Sequence, residues 1–233
     1  AHPPCIAQCL MPLKLVIFDF DQTLSQHHLF ATLSHGGTGL HLNPPYAITE
    51  VGQLKRLADA ADTEGFLQSV FGGPKRLNKL AAVLAELRAA DVECIICTRG
   101  FIGPVQKALE EVGLRRFFSQ VYGKTGQDYG SPLAGEDLGA LGDDQCFLGR
   151  TEYSSWDTKQ EIVARCLAQR CLGFEDALFL DDDPMEVSNM ASTCTVLQVT
   201  NSGLGKREFA MLRRRIGAAS QGAFCNLFFC CGI

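Results

Sequence analysis

The sequence predicts a doubly wound α/β fold, a parallel sheet with helices on both faces, and three observations carry that expectation. Short apolar runs alternate with stretches of helical periodicity; Val16-Ile17-Phe18 and Ala177–Leu180 are apolar throughout; and both runs end abruptly in acids. Strands buried on both faces read as unbroken apolar runs, and strand–helix alternation sets parallel strands side by side through right-handed crossovers.

The elements follow in order. Leu13, Val16, Ile17 and Phe18 form the first strand. From Gly73-Pro74, Leu77, Leu80, Val83, Leu84 and Leu87 recur at helical spacing, with Pro74 where a first turn tolerates it. Val92–Cys97 is the second strand. After Gly103-Pro104 a helix bears Val105, Leu109 and Val112 and closes at Gly113, and Gln120–Tyr122 is a short third strand. Ser155 caps a helix that runs through Arg170 with Ile162, Val163, Cys166 and Leu167 on one face. Ala177–Leu180, Thr195–Val199 and Lys206–Ile216 supply the fourth strand, the fifth strand and a closing helix.

Two stretches interrupt the alternation. Residues 25–72, with His35-Gly36-Gly37-Thr38-Gly39 and Pro44-Pro45, read as a short helical insertion, a lid or reduced cap. Residues 123–154 are Gly- and Asp-rich and read as a loop. The expected division is a core over residues 12–200 and a helix with an apolar, Cys-rich tail over 201–233. A length of 233 residues suits one domain with an insertion rather than two independent domains. With 46% hydrophobic and 20% charged residues, disorder and coiled coil are excluded as the dominant class.

Charge and cysteine usage narrow the function. Twenty-one Lys and Arg against 26 Asp and Glu give −5, without the basic footprint of a nucleic-acid binder. No apolar run reaches the ~20 residues that span a bilayer, and Ala1–Leu10 lacks the pattern of a signal peptide. Residues 1–11, with Met11 just before the first strand, are expected to be peripheral. Eleven cysteines, odd in number and several inside expected strands and helices (Cys94, Cys97, Cys166, Cys194), read as buried thiols in a reducing, cytoplasmic compartment. Cys94 and Cys97, three apart on a strand, point to opposite faces and cannot share a metal.

The polar residues gather at strand ends. The first strand ends in Asp19-Phe20-Asp21-Gln22-Thr23, the second in Cys97-Thr98-Arg99-Gly100, and the fourth in Asp181-Asp182-Asp183-Pro184. Ligands of open α/β sheets bind at that edge. Each pair of carboxylates 4 Å apart costs ~4 kcal/mol at an effective dielectric of 20, so a cation must be supplied. An all-oxygen set favours Mg2+, with Lys159 as a second positive charge, and such a site suits an anionic, phosphorylated substrate. Singly, each residue also has an ordinary role: Asp21 and Thr23 in a turn, Thr98 as a helix cap, Asp181–Asp183 as loop acids.

Together these residues resemble the haloacid dehalogenase-like phosphohydrolases, which carry DxDxT, a Thr or Ser after the second strand, a Lys, and an acidic pair after the fourth. The match runs in order over residues 13–200. The resemblance implies Asp19 as nucleophile, Asp21 as general acid and base with its backbone carbonyl on the metal, and Thr98 as phosphate ligand. It further implies Lys159 as charge neutraliser and Asp181 and Asp182 as the metal pair, in a phosphatase acting through an aspartyl-phosphate. Lys124 is a rival for the lysine. Arg99 and Gly100 are expected to help hold substrate, although an Arg at a strand end also suits a surface ion pair. His27, His28, His35 and His41 read as loop histidines, any one of which could touch substrate. Gln22, where the family commonly has small or aliphatic residues, departs from its pattern.

Two alternatives stay open: a non-catalytic interaction module that keeps the fold, and a phosphomutase, which needs a substantial cap. At the tail, Cys230 stands four from the end downstream of Arg213-Arg214-Arg215, so lipid anchoring with peripheral membrane association is a further expectation, against Gly232, which is not the aliphatic residue preferred there.

Overall fold

A computed structural model describes residues 13–37, 39–59, 63–124, 158–200 and 203–228. Its centre is a five-stranded sheet of β1 (Leu15–Phe18), β2 (Glu93–Phe101), β3 (Gln120–Lys124), β4 (Ala177–Asp181) and β5 (Thr195–Gln198), ordered β3-β2-β1-β4-β5. Every neighbouring pair is parallel. Alternation along β1 sorts its side chains: Val16 and Phe18 join a core with α4 (Pro74–Ala89), α5 (Ile102–Glu111) and α8 (Lys206–Phe228). Leu15 and Ile17 face the other way, into a core with α6 (Lys159–Gln169) and Met190 of α7 (Pro184–Met190). The sheet is therefore covered on both faces, as the unbroken apolar runs require.

Phe18 pairs with Ile96 on one side and Leu180 on the other, and the Asp19 amide donates to the Leu180 carbonyl at 2.8 Å. Strand order reverses between β1 and β4, so the crevice at the carboxyl edge opens beside Asp19 and Asp181.

Residues 25–72 carry α1 (Leu29–His35), α2 (Glu50–Asp59) and α3 (Thr63–Val70), and α2 packs on α5. The two ends of this insertion are tied together: the amides of Gln26 and His27 both donate to the Val70 carbonyl, at 2.9 and 3.1 Å. Gly72 and Gly73 then turn the chain back at φ 82° and 84°. An L side chain is strained at those angles, so the return favours glycine at both positions.

Several boundaries differ from the sequence expectation. β2 continues four residues past Cys97 to Phe101, with a register shift against β3 between those two residues. α5 begins at Ile102, before Gly103-Pro104, because Pro104 still falls in the first turn and the Gly103 amide is taken by Glu50 Oε1 at 2.6 Å. α6 begins at Lys159 behind a Thr158–Glu161 capping box; Ser155 lies outside the described residues. α8 runs on to Phe228 rather than stopping at Ile216. Gly123 and Lys124 belong to β3, and the rest of the 123–154 stretch lies outside the described residues, as do residues 1–11 and Cys230.

Cys94 and Cys97 fall in opposite core layers, and burial pushes the Cys94 thiol up to about 12. No described helix is long and apolar enough to cross a membrane.

Candidate active site

Past Phe18 the chain leaves the sheet through a single wide turn over Phe20–Leu24, in which Gln22 takes φ 59°. A non-glycine residue there is strained, and the turn is held from several sides. Gln22 N donates to Ser25 Oγ at 3.1 Å, and Arg76 from α4 donates to the carbonyls of Leu24 and Thr23 at 2.7 and 3.2 Å. The turn sets Asp19 and Asp21 against one cavity of about 440 Å3, with Thr98, Lys159 and Asp181–Asp183 on its other walls.

Lys159 is the centre of the site. Its ammonium lies 2.6 Å from Asp19 Oδ1 and 2.7 Å from Asp181 Oδ2, on a side chain only 2% exposed. Its rival Lys124 sits at the end of β3 with Nζ 5.7 Å from the centre of the Phe30 ring, off the cavity wall. Asp19, Asp181 and Asp182 each bring a carboxylate oxygen within 4.8 Å of the other two. Asp181 Oδ1 accepts from the Asp183 amide at 2.9 Å, and Asp182 Oδ1 accepts from Thr23 Oγ1 at 3.3 Å.

The remaining expected residues divide. Thr98 is buried, and its Oγ1 accepts from the Gly100 amide at 3.1 Å, which leaves its hydroxyl proton to donate. Gly100 stands behind the wall rather than on it; a Cβ there would come within 3.7 Å of Asp21 Oδ2. Arg99 reaches the cavity but is held by Glu186 Oε1, through Nε at 2.9 Å and Nη2 at 2.8 Å. Glu186, in the first turn of α7, carried no signal in the sequence beyond following the acids. Of the four histidines only His28 lines the cavity, with Nδ1 2.9 Å from Asp21 Oδ2.

No family model matches the sequence, and no curated protein matches it. The structure is similar to the haloacid dehalogenase-like (HAD) domain of the effector protein Lem4 from Legionella pneumophila, with TM-score 0.51 and 14% identity over 93% of this chain and 99% of that one. The chain has the haloacid dehalogenase-like fold. Two further similar structures are a predicted phosphatase from Clostridium acetobutylicum and the cobalt-bound deoxy-D-mannose-octulosonate 8-phosphate phosphatase from Haemophilus influenzae. The first has TM-score 0.45 and 14% identity over 86% of this chain and 91% of that one. The second has TM-score 0.43 and 12% identity over 93% and 99%.

On this haloacid dehalogenase-like scaffold the charges at the cavity do not balance. Burial pushes the Asp19 carboxyl well above the ordinary range, with the charges of Asp181 and Asp21 adding to it and Lys159 opposing. Burial also raises Asp181 against Lys159, and burial with the Asp181 charge raises Asp182. Burial would lower Lys159, but Asp19 and Asp181 outweigh it and hold the ammonium protonated far above its ordinary value. Burial likewise opposes charge on His28, and the Asp21 hydrogen bond with the charges of Asp21, Asp19 and Asp182 reverses that and raises it. One ammonium thus faces three clustered carboxylates, all with oxygen ligands. That donor set fits a hard divalent cation.

Proposed function

We propose that the protein is a Mg2+-dependent phosphatase that hydrolyses a phosphomonoester through an aspartyl-phosphate on Asp19. The observation that carries this reading is the convergence of Asp19, Lys159, Asp181 and Asp182 on one polar cavity, with three carboxylates within 4.8 Å and one ammonium between two of them. Asp19, Asp181, Asp182 and the backbone carbonyl of Asp21 would hold Mg2+, which supplies positive charge to the phosphate oxygens.

The chain's own residues do the rest. A carboxylate oxygen of Asp19 attacks phosphorus and the bond to the leaving oxygen breaks. Asp21 gives that oxygen a proton, then takes one from the water that opens the acyl phosphate, so Asp19 returns as a carboxylate and Asp21 as the protonated acid with which the cycle began. Lys159 neutralises Asp19 and offsets repulsion between it and the incoming dianion. The Thr98 hydroxyl donates to a phosphate oxygen.

Hydrolysis of p-nitrophenyl phosphate and a panel of phosphomonoesters, in Mg2+ or in EDTA, tests the reading. Turnover that appears with Mg2+ and stops with EDTA is expected. Silence across the panel would favour a binding module on the same fold, and return of phosphate to a sugar acceptor would mark a phosphomutase.

Stability supplies a second test. A buried carboxyl whose folded value is raised helps the folded state below about pH 3.9, its unfolded value, and that help is lost as pH rises through the raised one. At neutral pH the metal-free protein therefore carries a penalty from Asp19, Asp181 and Asp182. Mg2+ at about 100 times its Kd should stabilise by ~2.7 kcal/mol, a rise of roughly 5–10 °C in Tm for a chain this size. Asp182→Asn should melt above wild type in EDTA and gain less from Mg2+; equal gains for both proteins would remove Asp182 from the ion.

A further inference from the structure

Asp21 is gripped at both carboxyl oxygens from the start of the insertion. The Leu29 amide donates to Oδ1 at 2.7 Å, a buried contact, and His28 Nδ1 lies 2.9 Å from Oδ2 at the cavity wall. His28 also stands at the start of α1, but its Nδ1 is 3.4 Å from the Ala31 amide, long for a cap and longer than its contact with Asp21. The ring therefore serves the carboxyl before it serves the helix. The His28 backbone is itself fixed, since Thr32 Oγ1 and the Thr32 amide both donate to its carbonyl, at 2.8 and 3.0 Å.

We propose that His28 is a positioning residue for the proton transfers made by Asp21. The inference rests on the phosphatase reading above. A carboxyl free to rotate exchanges its two oxygens and spends much of its time misaligned with the leaving oxygen, and fixed geometry recovers that loss. Leu29 pins Oδ1 on the buried side, so Oδ2 is the oxygen that works at the cavity. His28 occupies one lone pair of Oδ2 and leaves the other for the proton in transit. As the bond from Asp19 to phosphorus forms and the bond to the leaving oxygen breaks, that proton moves from Oδ2 to the leaving oxygen. The same lone pair then accepts a proton from the attacking water as the acyl phosphate opens. Both oxygens of the carboxylate keep their donors throughout, His28 on one and Leu29 on the other.

The leaving group separates this role from a structural one. Nitrophenolate departs without a proton, whereas an alkoxide does not, so kcat/KM is measured on p-nitrophenyl phosphate and on glycerol 2-phosphate for wild type, His28→Ala and His28→Asn. His28→Ala should lower kcat/KM on the alkyl ester ~10-fold more than on the aryl ester, a share of the ~100-fold or more carried by general acid catalysis. Asn places an N–H on the same Cγ as Nδ1 and is a good helix cap, so His28→Asn should restore most of the loss. In an Asp21→Asn background His28→Ala should add no further loss on the alkyl ester. Equal losses on both esters, or an alkyl-selective loss that Asn fails to restore, would overturn the positioning role and leave the phosphatase reading standing. A wild type silent on both esters would overturn that reading and the role of His28 with it.

Discussion

Asp19→Asn should abolish turnover: kcat/KM on p-nitrophenyl phosphate is expected to fall on the order of 10^4-fold or more, the scale of losing a covalent nucleophile while binding groups remain. The substitution is nearly isosteric, and Lys159 keeps its 2.7 Å contact with Asp181, so the fold should survive and melting should confirm it. Asp21→Asn should fail differently. An aryl phosphate needs no proton to leave, so the variant should release one nitrophenolate per site and then stall, because the base for water is gone. Mass spectrometry of the stalled protein should find phosphate on the peptide that contains Asp19. Residual turnover by Asp19→Asn near the wild-type level, or phosphate on another residue, would move the nucleophile elsewhere.

What the sequence made legible follows from which features are local. Asp19 and Asp181 could be read as site residues because each directly follows an unbroken apolar run, and a parallel sheet presents all such ends at one edge. The strand order that makes those two neighbours is a tertiary property and left no local mark. In the sequence Lys159 is preferred to Lys124 only because it precedes the acidic fourth strand in the order of the family it resembles; its burial between two carboxylates is a tertiary feature with no local mark. The extension of β2 through Arg99 to Phe101 was hidden because Thr98-Arg99-Gly100 has no apolar period, and the strand persists there through an irregular register with β3. His28 shared its composition with three other histidines; it is the position just before α1 that brings it onto Asp21. The far part of α8 escaped for a related reason, since Gly217-Ala218-Ala219-Ser220 offers no apolar stripe by which spacing could extend the helix.

Lys159→Met should be the most destabilising single change at the site. Methionine replaces most of the stem's volume, so packing against Phe179, whose ring centre is 6.0 Å from Nζ, is largely kept while the charge is lost. Removing one partner of a buried ion pair costs about 3–5 kcal/mol, because the other charge stays buried. Here two carboxylates are stranded, Asp19 and Asp181, so a fall in Tm of roughly 10 °C is expected for a chain of this size. The sign of the pH dependence identifies the cause. The lysine's folded value is raised, so its contribution is complete below its unfolded value of about 10.4 and full at neutral pH. The two carboxyls it neutralises are raised by burial, and without the ammonium they rise further. As pH falls they protonate and no longer need a cation, so the deficit of the variant should be largest near pH 7.5 and shrink toward pH 5. Urea unfolding of both proteins in EDTA at the two values measures it. A deficit that does not change with pH would assign the loss to packing of the four-carbon stem and would remove the charge argument on which the role of Lys159 stands.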